Sequence, residues 1–189
     1  PKYLFRAELI NDGDTFSVGN YTFRCIWTPG HTPGHTCLYM EEYGILFSGD
    51  HILFDITPNI TMWRQVEDSL GDYLESLNKI KSLNIKATFP GHRNNDMDVF
   101  ERISQIEVHH DRRIHQTLSI IKEEPGLNAC QIGARMTWSM RGKNWDEFPI
   151  QQKWFAIGET ISHLDYLIKR GKITRHTDKE IYYYTANES

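Results

Sequence analysis

The chain has 189 residues, enough for one large domain or two small ones. Hydrophobic residues make up 39% of it and aromatic residues 12%, as is typical of a folded globular protein, and no apolar run approaches the length of a membrane span. The formal net charge of −4 argues against bulk electrostatic attraction to nucleic acid or to an anionic membrane.

The cysteines indicate a reducing compartment. Cys25, Cys37 and Cys130 are odd in number, widely spaced, and form no Cys-x-x-Cys pair. Such a set favours buried thiols over a disulfide framework or a cysteine zinc site. We therefore expect a cytoplasmic protein.

The first half of the chain has the pattern of strands, a helix and a further strand. Alternating apolar residues predict one hairpin over 15–27 and a second over 37–47. Helical spacing follows over 66–83, and residues 85–89 are predicted to form a short strand. This order is typical of an α/β layer fold.

The second half changes to helical spacing. Apolar residues at steps of three and four predict one long helix over 99–121. Asn128 is placed to cap a second helix, and a third is predicted over 149–170. Two strands, 172–175 and 181–185, follow around a polar turn. Three helices and a hairpin are the outline of a winged-helix module.

We accordingly divide the chain into three segments. Residues 1–95 are predicted to form the α/β part, residues 96–126 a connector helix, and residues 127–189 a winged-helix-like domain.

Three candidate metal ligands each follow the end of a predicted strand. His31 lies in the segment Thr-Pro-Gly-His-Thr-Pro-Gly-His-Thr (28–36), Asp50 follows Phe-Ser-Gly, and His92 follows Phe-Pro-Gly. Proline fixes φ and glycine permits close backbone approach, so such loops can hold a side chain in one orientation. Imidazole and carboxylate together suit zinc, iron or manganese. A carboxylate such as Asp50 can also bridge two metal ions that share a hydroxide.

Each motif alone has an ordinary explanation. Ser-Gly-Asp is a common turn, because aspartate readily bonds its own backbone, and a single histidine after a strand is usually a surface or core residue. The three motifs in this order, each at a strand end, favour a shared site instead.

The other histidines leave alternatives open. His35 is a second possible ligand in the same loop as His31, and His51 is placed to line a substrate mouth, to support the ligands or simply to be exposed. Along the long helix, His109, His110 and His115 are expected at the surface or between helices, because their spacing does not place two ligands on one face. No partner pattern is visible for the remaining two histidines, His163 and His176.

Together, Thr-Pro-Gly-His-Thr-Pro-Gly-His, Phe-Ser-Gly-Asp and Phe-Pro-Gly-His resemble the later metal motifs of the metallo-β-lactamase-fold hydrolases. The sequence is most similar to a glyoxalase-II-like branch with a C-terminal winged helix, which includes endoribonuclease-type β-lactamase-like proteins. Asp-His-Ile-Leu (50–53), Thr-Pro-Asn-Ile (57–60) and Leu-Gly-Asp-Tyr-Leu (70–74) resemble bacterial members of that branch. The resemblance covers essentially the whole chain. It implies the C-terminal half of an αββα sandwich, followed by a mostly α winged-helix domain.

The resemblance also implies a binuclear centre, with two zinc ions expected and iron or manganese as alternatives. His31 would ligate the first metal, Asp50 would bridge both and serve as the catalytic carboxylate, and His92 would ligate the second. His35 would then be a supporting residue. Arg93 departs from the family, where a small residue, usually glycine, follows the last histidine, and this puts the local loop shape in question.

One family motif is absent. His-x-His-x-Asp-His, which supplies four further ligands, occurs nowhere in the sequence. Two explanations compete, a missing N-terminal half or a protein that has lost catalysis, and the intact later motifs favour the first. The chain would then hold three of seven ligands and bind metal weakly, with the N-terminal half of the same protein as its partner. The face that packs on that half would be exposed and prone to self-association, including formation of a homodimer.

We therefore expect a metal-dependent hydrolase whose small-molecule substrate is a thioester, ester or lactone, and which is inactive without the remaining ligands. The mild acidity of the chain and the lack of a broad basic groove favour such substrates over phosphodiesters. Two alternatives remain, an endoribonuclease-like hydrolase of nucleic acid and a non-catalytic winged-helix binding protein. A local group of cations near the predicted wing would serve either one: Lys169, Arg170, Lys172, Arg175 and Lys179.

Overall fold

The computed structural model of the chain describes residues 7–138 and 144–188. Its first half is built on a five-stranded sheet in which the strands lie in chain order. The strands are β1 (Thr15–Val18), β2 (Tyr21–Trp27), β3 (Thr36–Met40), β4 (Ile45–Gly49) and β5 (Ala87–Pro90). Neighbours from β1 to β4 are antiparallel, and β5 pairs in parallel with β4. Both predicted hairpins and the predicted fifth strand are thus confirmed.

Helix α1 (Ser69–Lys81) forms the crossover between β4 and β5. It begins where the Asp68 side chain accepts a hydrogen bond from the Gly71 amide at 2.8 Å. Its apolar residues recur at helical spacing and are fully buried against the sheet: Leu70, Tyr73, Leu77 and Ile80. The helix therefore covers one face of the sheet and closes the first core.

The opposite face of the sheet carries a row of aromatic rings. Phe16 stacks on Phe23 at 5.3 Å between ring centroids, Phe23 lies 6.0 Å from Phe47, and Phe47 stacks on Phe89 at 5.4 Å. Alternation along each strand sends these side chains away from α1. Phe16, Phe47 and Phe89 are exposed, and no element among residues 7–138 and 144–188 covers this aromatic face.

The second half contains three helices and a small sheet. The helices are α2 (Val99–Glu123), α3 (Ala129–Arg135) and α4 (Ile150–Lys169), and the strands are β6 (Leu127–Asn128), β7 (Ile173–Asp178) and β8 (Ile181–Ala186). The strand order is β6-β8-β7, and both pairings are antiparallel. Only the two-residue strand β6 was not predicted.

Local chemistry explains the boundaries of these elements. The Asn128 side chain caps α3 as predicted and forms a reciprocal capping box with Gln131. Lys179 and Glu180 connect β7 to β8 with φ values of 46° and 66°, which are the left-handed conformations of a two-residue hairpin turn. Tyr184 of β8 lies in a second core with Ile132 and Leu164, so it serves packing.

The cysteines are only partly as predicted. Cys25 and Cys37 are fully buried, but Cys130 is exposed at the start of α3, where its helix face turns outward. Among the described residues, no helix is both long and apolar enough to cross a membrane.

Candidate metal centre

The loops after β2, β4 and β5 bring the three predicted ligands to one edge of the sheet. Since β2 and β4 are each antiparallel to β3, they run in the same direction as each other and as β5, so the three carboxyl ends coincide. His92 Nε2 lies 3.3 Å from one Asp50 carboxylate oxygen, and His31 Nε2 lies 3.9 Å from the other. The three side chains are 26–48% exposed. The three side chains therefore lie together at one edge of the sheet.

Two glycines leave space for side chains around the candidate site, Gly91 for Asp50 and Gly49 for His35. A Cβ added at Gly91 would lie 2.8 Å from an Asp50 carboxylate oxygen and 3.1 Å from the carbonyl carbon of Gly49. A Cβ at Gly49, where φ is +51°, would lie 2.7 Å from His35 Nε2. A side chain at either position would force the neighbouring Asp50 carboxylate or His35 ring to shift, so the Pro-Gly-His and Ser-Gly-Asp motifs are coupled by the close approach of Gly91 to Gly49 and Asp50.

The sequence repeat in the 28–36 loop is not a structural repeat. Gly30, at φ +131°, packs directly on the backbone of Tyr73 in α1, whereas Gly34 has open space around it. The two histidines that follow these glycines accordingly face different surroundings.

A hydrogen bond at Nδ1 orients the ring of His31. His31 Nδ1 lies 2.9 Å from the main-chain oxygen of Asn59, which can only accept, so Nδ1 carries a proton, and in the neutral ring Nε2 then has a free lone pair. Trp63 Nε1 also donates to the His31 carbonyl at 3.0 Å. Metal-binding histidines normally donate their second N–H to such an acceptor, so the residue fits a ligand.

His35 uses both ring nitrogens within the protein. Its Nε2 accepts from the Asp50 amide at 3.2 Å, and its Nδ1 lies 2.8 Å from Thr28 Oγ1. Burial lowers the pKa of His35, the nearby His31 lowers it further, and Asp50 opposes both. With no free ring nitrogen, His35 supports the loop that carries Asp50.

His51 points into the core. The turn closed by its amide on the Ser48 carbonyl directs the ring inward, where it packs on His35 and Tyr73 at 5.9 and 5.1 Å. The side chain is fully buried, and neither ring nitrogen has a hydrogen-bond partner in the described part of the chain. Burial lowers its pKa to about 3. This overturns the expectation that His51 lines a substrate mouth or is exposed.

Arg93 takes the backbone conformation of a glycine. Its φ is +69°, in the left-handed region that glycine adopts freely and other residues adopt at a cost. Arg93 therefore adopts, at a conformational cost, the backbone conformation that a glycine at this position adopts freely. His92 still lies 3.3 Å from an Asp50 carboxylate oxygen.

The described residues do not contain a complete metal pocket. In ranges 7–138 and 144–188, no group of three or more His, Cys, Asp or Glu side chains could hold a metal ion as arranged. His31 and His92 instead approach opposite oxygens of one carboxylate as two pairs. Two imidazoles and a carboxylate are nevertheless a donor set that zinc, iron and manganese accept.

Between α2 and α4 lies a buried polar cluster of four residues, His110, Arg113, Glu159 and His163. His110 Nδ1 lies 3.3 Å from His163 Nε2, and Arg113 Nε lies 3.2 Å from a carboxylate oxygen of Glu159. The expectation for His110 holds, since it lies between helices, but the partnership of His163 was missed. The available signal was helical spacing, because His163 shares the buried face of α4 with Thr160 and Leu167.

Three cations of the predicted wing patch are paired with acids. Lys169 contacts Glu67, Arg170 contacts Asp68, and Arg175 lies 3.8 Å from Asp165. This pairing leaves less positive charge for an anionic partner than the sequence indicates.

Comparison with known proteins identifies the family. The metallo-β-lactamase superfamily model matches residues 3–92, and the metallo-β-lactamase-like C-terminal domain model matches residues 145–187. A β-lactamase-like protein 2 homolog from Caenorhabditis elegans is 33% identical over 140 residues, which are 72% of this chain and 45% of the relative. An atrochrysone carboxyl ACP thioesterase from Aspergillus fumigatus is 32% identical over 111 residues, covering 59% of this chain and 33% of its own.

Solved structures agree on the fold. A β-lactamase domain protein from Burkholderia ambifaria superposes with a TM-score of 0.85 at 30% identity, covering 96% of this chain and 53% of its own. A metallo-β-lactamase family protein from Thermus thermophilus has a TM-score of 0.79 at 28% identity, with 94% and 54% covered. The chain thus spans about half the length of these structures and less than half that of the two curated relatives. The predicted resemblance is confirmed: the chain has a mixed α/β fold of this type and belongs to the metallo-β-lactamase superfamily.

Proposed function

We propose that this chain contributes part of the metal centre of a hydrolase that acts on a thioester, ester or lactone. The observation that carries the proposal is the position of Asp50 between His31 and His92, with one imidazole facing each carboxylate oxygen. If metal ions are bound here, Asp50 would be one of the residues that hold them, together with His31 and His92. Zinc is the first choice for the donor set, with iron or manganese as alternatives.

When bound, such a centre supplies Lewis acidity, lowering the pKa of water toward neutrality and drawing charge from the oxygen of the group under attack. The chain's own residues fix the geometry. The Asn59 carbonyl orients His31, and the His35 ring holds the amide of Asp50. Gly91 lets the last loop approach the Asp50 carboxylate.

Thioesters are the favoured substrate class. The A. fumigatus relative is named as a thioesterase, which supports carbonyl rather than phosphodiester chemistry. The net charge of −4 and the pairing of Lys169, Arg170 and Arg175 with acids disfavour the endoribonuclease-like and winged-helix-binding alternatives.

The remaining ligands are proposed to come from an N-terminal half of the same protein, seated on the aromatic face of the sheet. Two observations support this partner: the rings on that face are uncovered in the described chain, and the relatives are about twice as long. A homodimer using the same face is the competing arrangement.

The second half of the chain is proposed to be a separate winged-helix-like domain over 127–189, joined by a connector at 96–126. The three-stranded sheet and a second core, to which α2 contributes Ile121, support this division. The free thiols support a cytoplasmic location.

The decisive experiment replaces Asp50 with Ala in the full-length protein. Metal-dependent hydrolysis of a short acyl thioester should fall by more than about 100-fold, because even residues that only support metal ligands are worth about 10- to 100-fold. Metal content per chain should fall as well, with the circular dichroism spectrum unchanged. Asp96→Ala, an exposed acid in the loop after His92, is the matched control and should keep full activity. Retained turnover in the Asp50 variant would refute the proposal, and cleavage of single-stranded RNA in place of thioester would support the endoribonuclease alternative.

A further inference from the structure

A short irregular segment, residues 59–63, lies between His31 and helix α4. It has no helix or strand of its own, so side-chain contacts must fix its position. On one side it holds His31 twice, through the Asn59 carbonyl at 2.9 Å from His31 Nδ1 and through Trp63 Nε1 at 3.0 Å from the His31 carbonyl.

On its other side the segment is held by α4. Ser162 Oγ donates to the Ile60 carbonyl at 2.7 Å, and Asn59 Nδ2 lies 3.3 Å from a carboxylate oxygen of Glu159. Asn59 therefore links His31 to α4, since its main-chain oxygen contacts His31 and its side chain contacts Glu159.

Thr61 adds a steric constraint. A Cβ at Gly158 would collide with Thr61 Oγ1, so the helix backbone and the segment are in direct contact. Ser69 Oγ donates to the Thr61 carbonyl at 2.7 Å from the side of α1. Three consecutive residues of the segment, Asn59, Ile60 and Thr61, are thus in contact with α4.

Glu159 is itself contacted by two basic side chains of α2. Its carboxylate is 12% exposed, with Arg113 Nε at 3.2 Å and His109 Nε2 at 3.8 Å, both from α2. The Arg113 guanidinium in turn stacks over the Trp138 ring at 4.0 Å. Burial raises the pKa of Glu159, but His109 and Arg113 more than offset this and lower it overall, so the group is an acceptor for the Asn59 amide.

We propose that Glu159 is a positioning residue for His31 that acts through Asn59, so that helix α4 sets the orientation of a predicted metal ligand. The importance of the His31 orientation for catalysis rests on the proposed function. The orientation itself does not rest on it, because the Nδ1–H tautomer of His31 is a property of the metal-free protein. Without an anchored acceptor at Asn59, the Nε2–H tautomer becomes populated and removes the lone pair that faces Asp50.

The test is nitrogen NMR of the histidine rings in the metal-free protein at pH 8. In the wild type, His31 should show a protonated Nδ1 and a bare Nε2. Asn59→Ala and Glu159→Ala should both move the two His31 nitrogen signals toward each other as the tautomers mix. Glu124→Ala is the matched control: it removes a carboxylate that pairs with Arg135 in the second half of the chain but has no contact with the segment.

Zinc competition on the full-length protein gives a second readout. Both variants should weaken zinc binding by about 10- to 100-fold, as the loss of a residue that supports a metal ligand commonly does. Unchanged His31 tautomers in Asn59→Ala and Glu159→Ala would overturn the inference even if the wild type is an active hydrolase. If the wild type binds no zinc, the proposed function fails, and the tautomer shift still decides the role of Glu159. Asn59→Ala decides alone if Glu159→Ala does not fold, because Asn59 lies half-buried in an irregular segment.

Discussion

The histidines of this molecule lie in two different surroundings. At the sheet edge, His31 and His92 are partly exposed and each has a ring nitrogen within 4 Å of Asp50. Between α2 and α4, His110 and His163 are fully buried and face each other. The first pair is accessible to a cation and lies beside the Asp50 carboxylate, whereas the second pair is buried inside the protein. Access to a ring nitrogen beside a carboxylate, rather than a high density of histidines, therefore distinguishes the candidate metal centre.

The buried pair must stay uncharged for the protein to remain stable. His163 Nδ1 donates to the Glu159 carbonyl at 2.7 Å, so its Nε2 is bare and accepts from His110 Nδ1. His110 Nε2 then has no partner among the described residues. Burial lowers the pKa of both rings, and for His110 the positive charge of Arg113 and its neighbouring histidines lower it further.

The largest expected effect is acid destabilisation at this interface. The pKa of His110 is well below its ordinary value of 6.5 in the folded state. Its contribution to stability is therefore complete above pH 6.5 and is lost as the pH falls toward the folded value. The free energy of unfolding should therefore be lower at pH 5 than at pH 7.5, because the unfolded chain takes up a proton at His110 that the folded chain resists. His163 acts in the same direction. Urea unfolding between pH 7.5 and 5 measures the effect.

His110→Gln tests the source of that pH dependence. The amide keeps a hydrogen-bonding group near His163 but does not titrate, so the free energy of unfolding should fall less steeply with decreasing pH below 6.5 than it does in the wild type. An unchanged slope would show that the acid sensitivity arises elsewhere.

A smaller effect is expected at the sheet edge, where Gly91→Ala should impair the site but spare the fold. The new Cβ would lie 2.8 Å from the Asp50 carboxylate, whose free end can move aside and away from His92. Zinc affinity of the full-length protein should fall about tenfold, as for loss of a residue that supports a ligand. Gly34→Ala is the matched control, because a Cβ there meets nothing within 4 Å. Equal affinities in the two variants would contradict the steric coupling of Gly91 and Asp50.

The smallest effect is expected for the hydrogen bond between Thr28 and His35. Thr28→Val removes the hydroxyl that lies 2.8 Å from His35 Nδ1, and the buried N–H is left without an acceptor. The free energy of unfolding should fall by about 1 kcal/mol, a typical net value for one hydrogen bond. Thr22→Val, which loses only an exposed contact with Ser17, should change it much less. A larger loss at Thr22 than at Thr28 would show that His35 does not depend on this hydroxyl.

Much of the fold and the three-residue convergence could be predicted from local patterns. Glycine and proline at the strand ends located His31, Asp50 and His92, because tight backbone approach restricts those positions to particular residues. The cap at Asn128 was predictable for the same reason, since it depends on neighbours in the chain.

What could not be predicted depends on long-range packing. The burial of His51 is set by Tyr73 on α1, and the pairing of His163 with His110 is set by the docking of α4 on α2. Helical spacing places His163 on the buried face of α4, but it does not identify His110 as its partner. The role of Asn59 was hidden for the same reason, because its partner Glu159 is 100 residues away in the chain.

The parallel pairing of β4 with β5 has a consequence for the order of folding. Asp50 and His92 follow these two strands, and everything between them, including α1, must form a closed crossover before they can meet. Closing that loop costs conformational entropy before any stabilising contact at the edge can form, so this part of the sheet is slow to form. A metal ion bound between the loops that carry Asp50 and His92 would stabilise only the folded state, in which the two loops meet. Its binding would therefore slow unfolding more than it speeds folding.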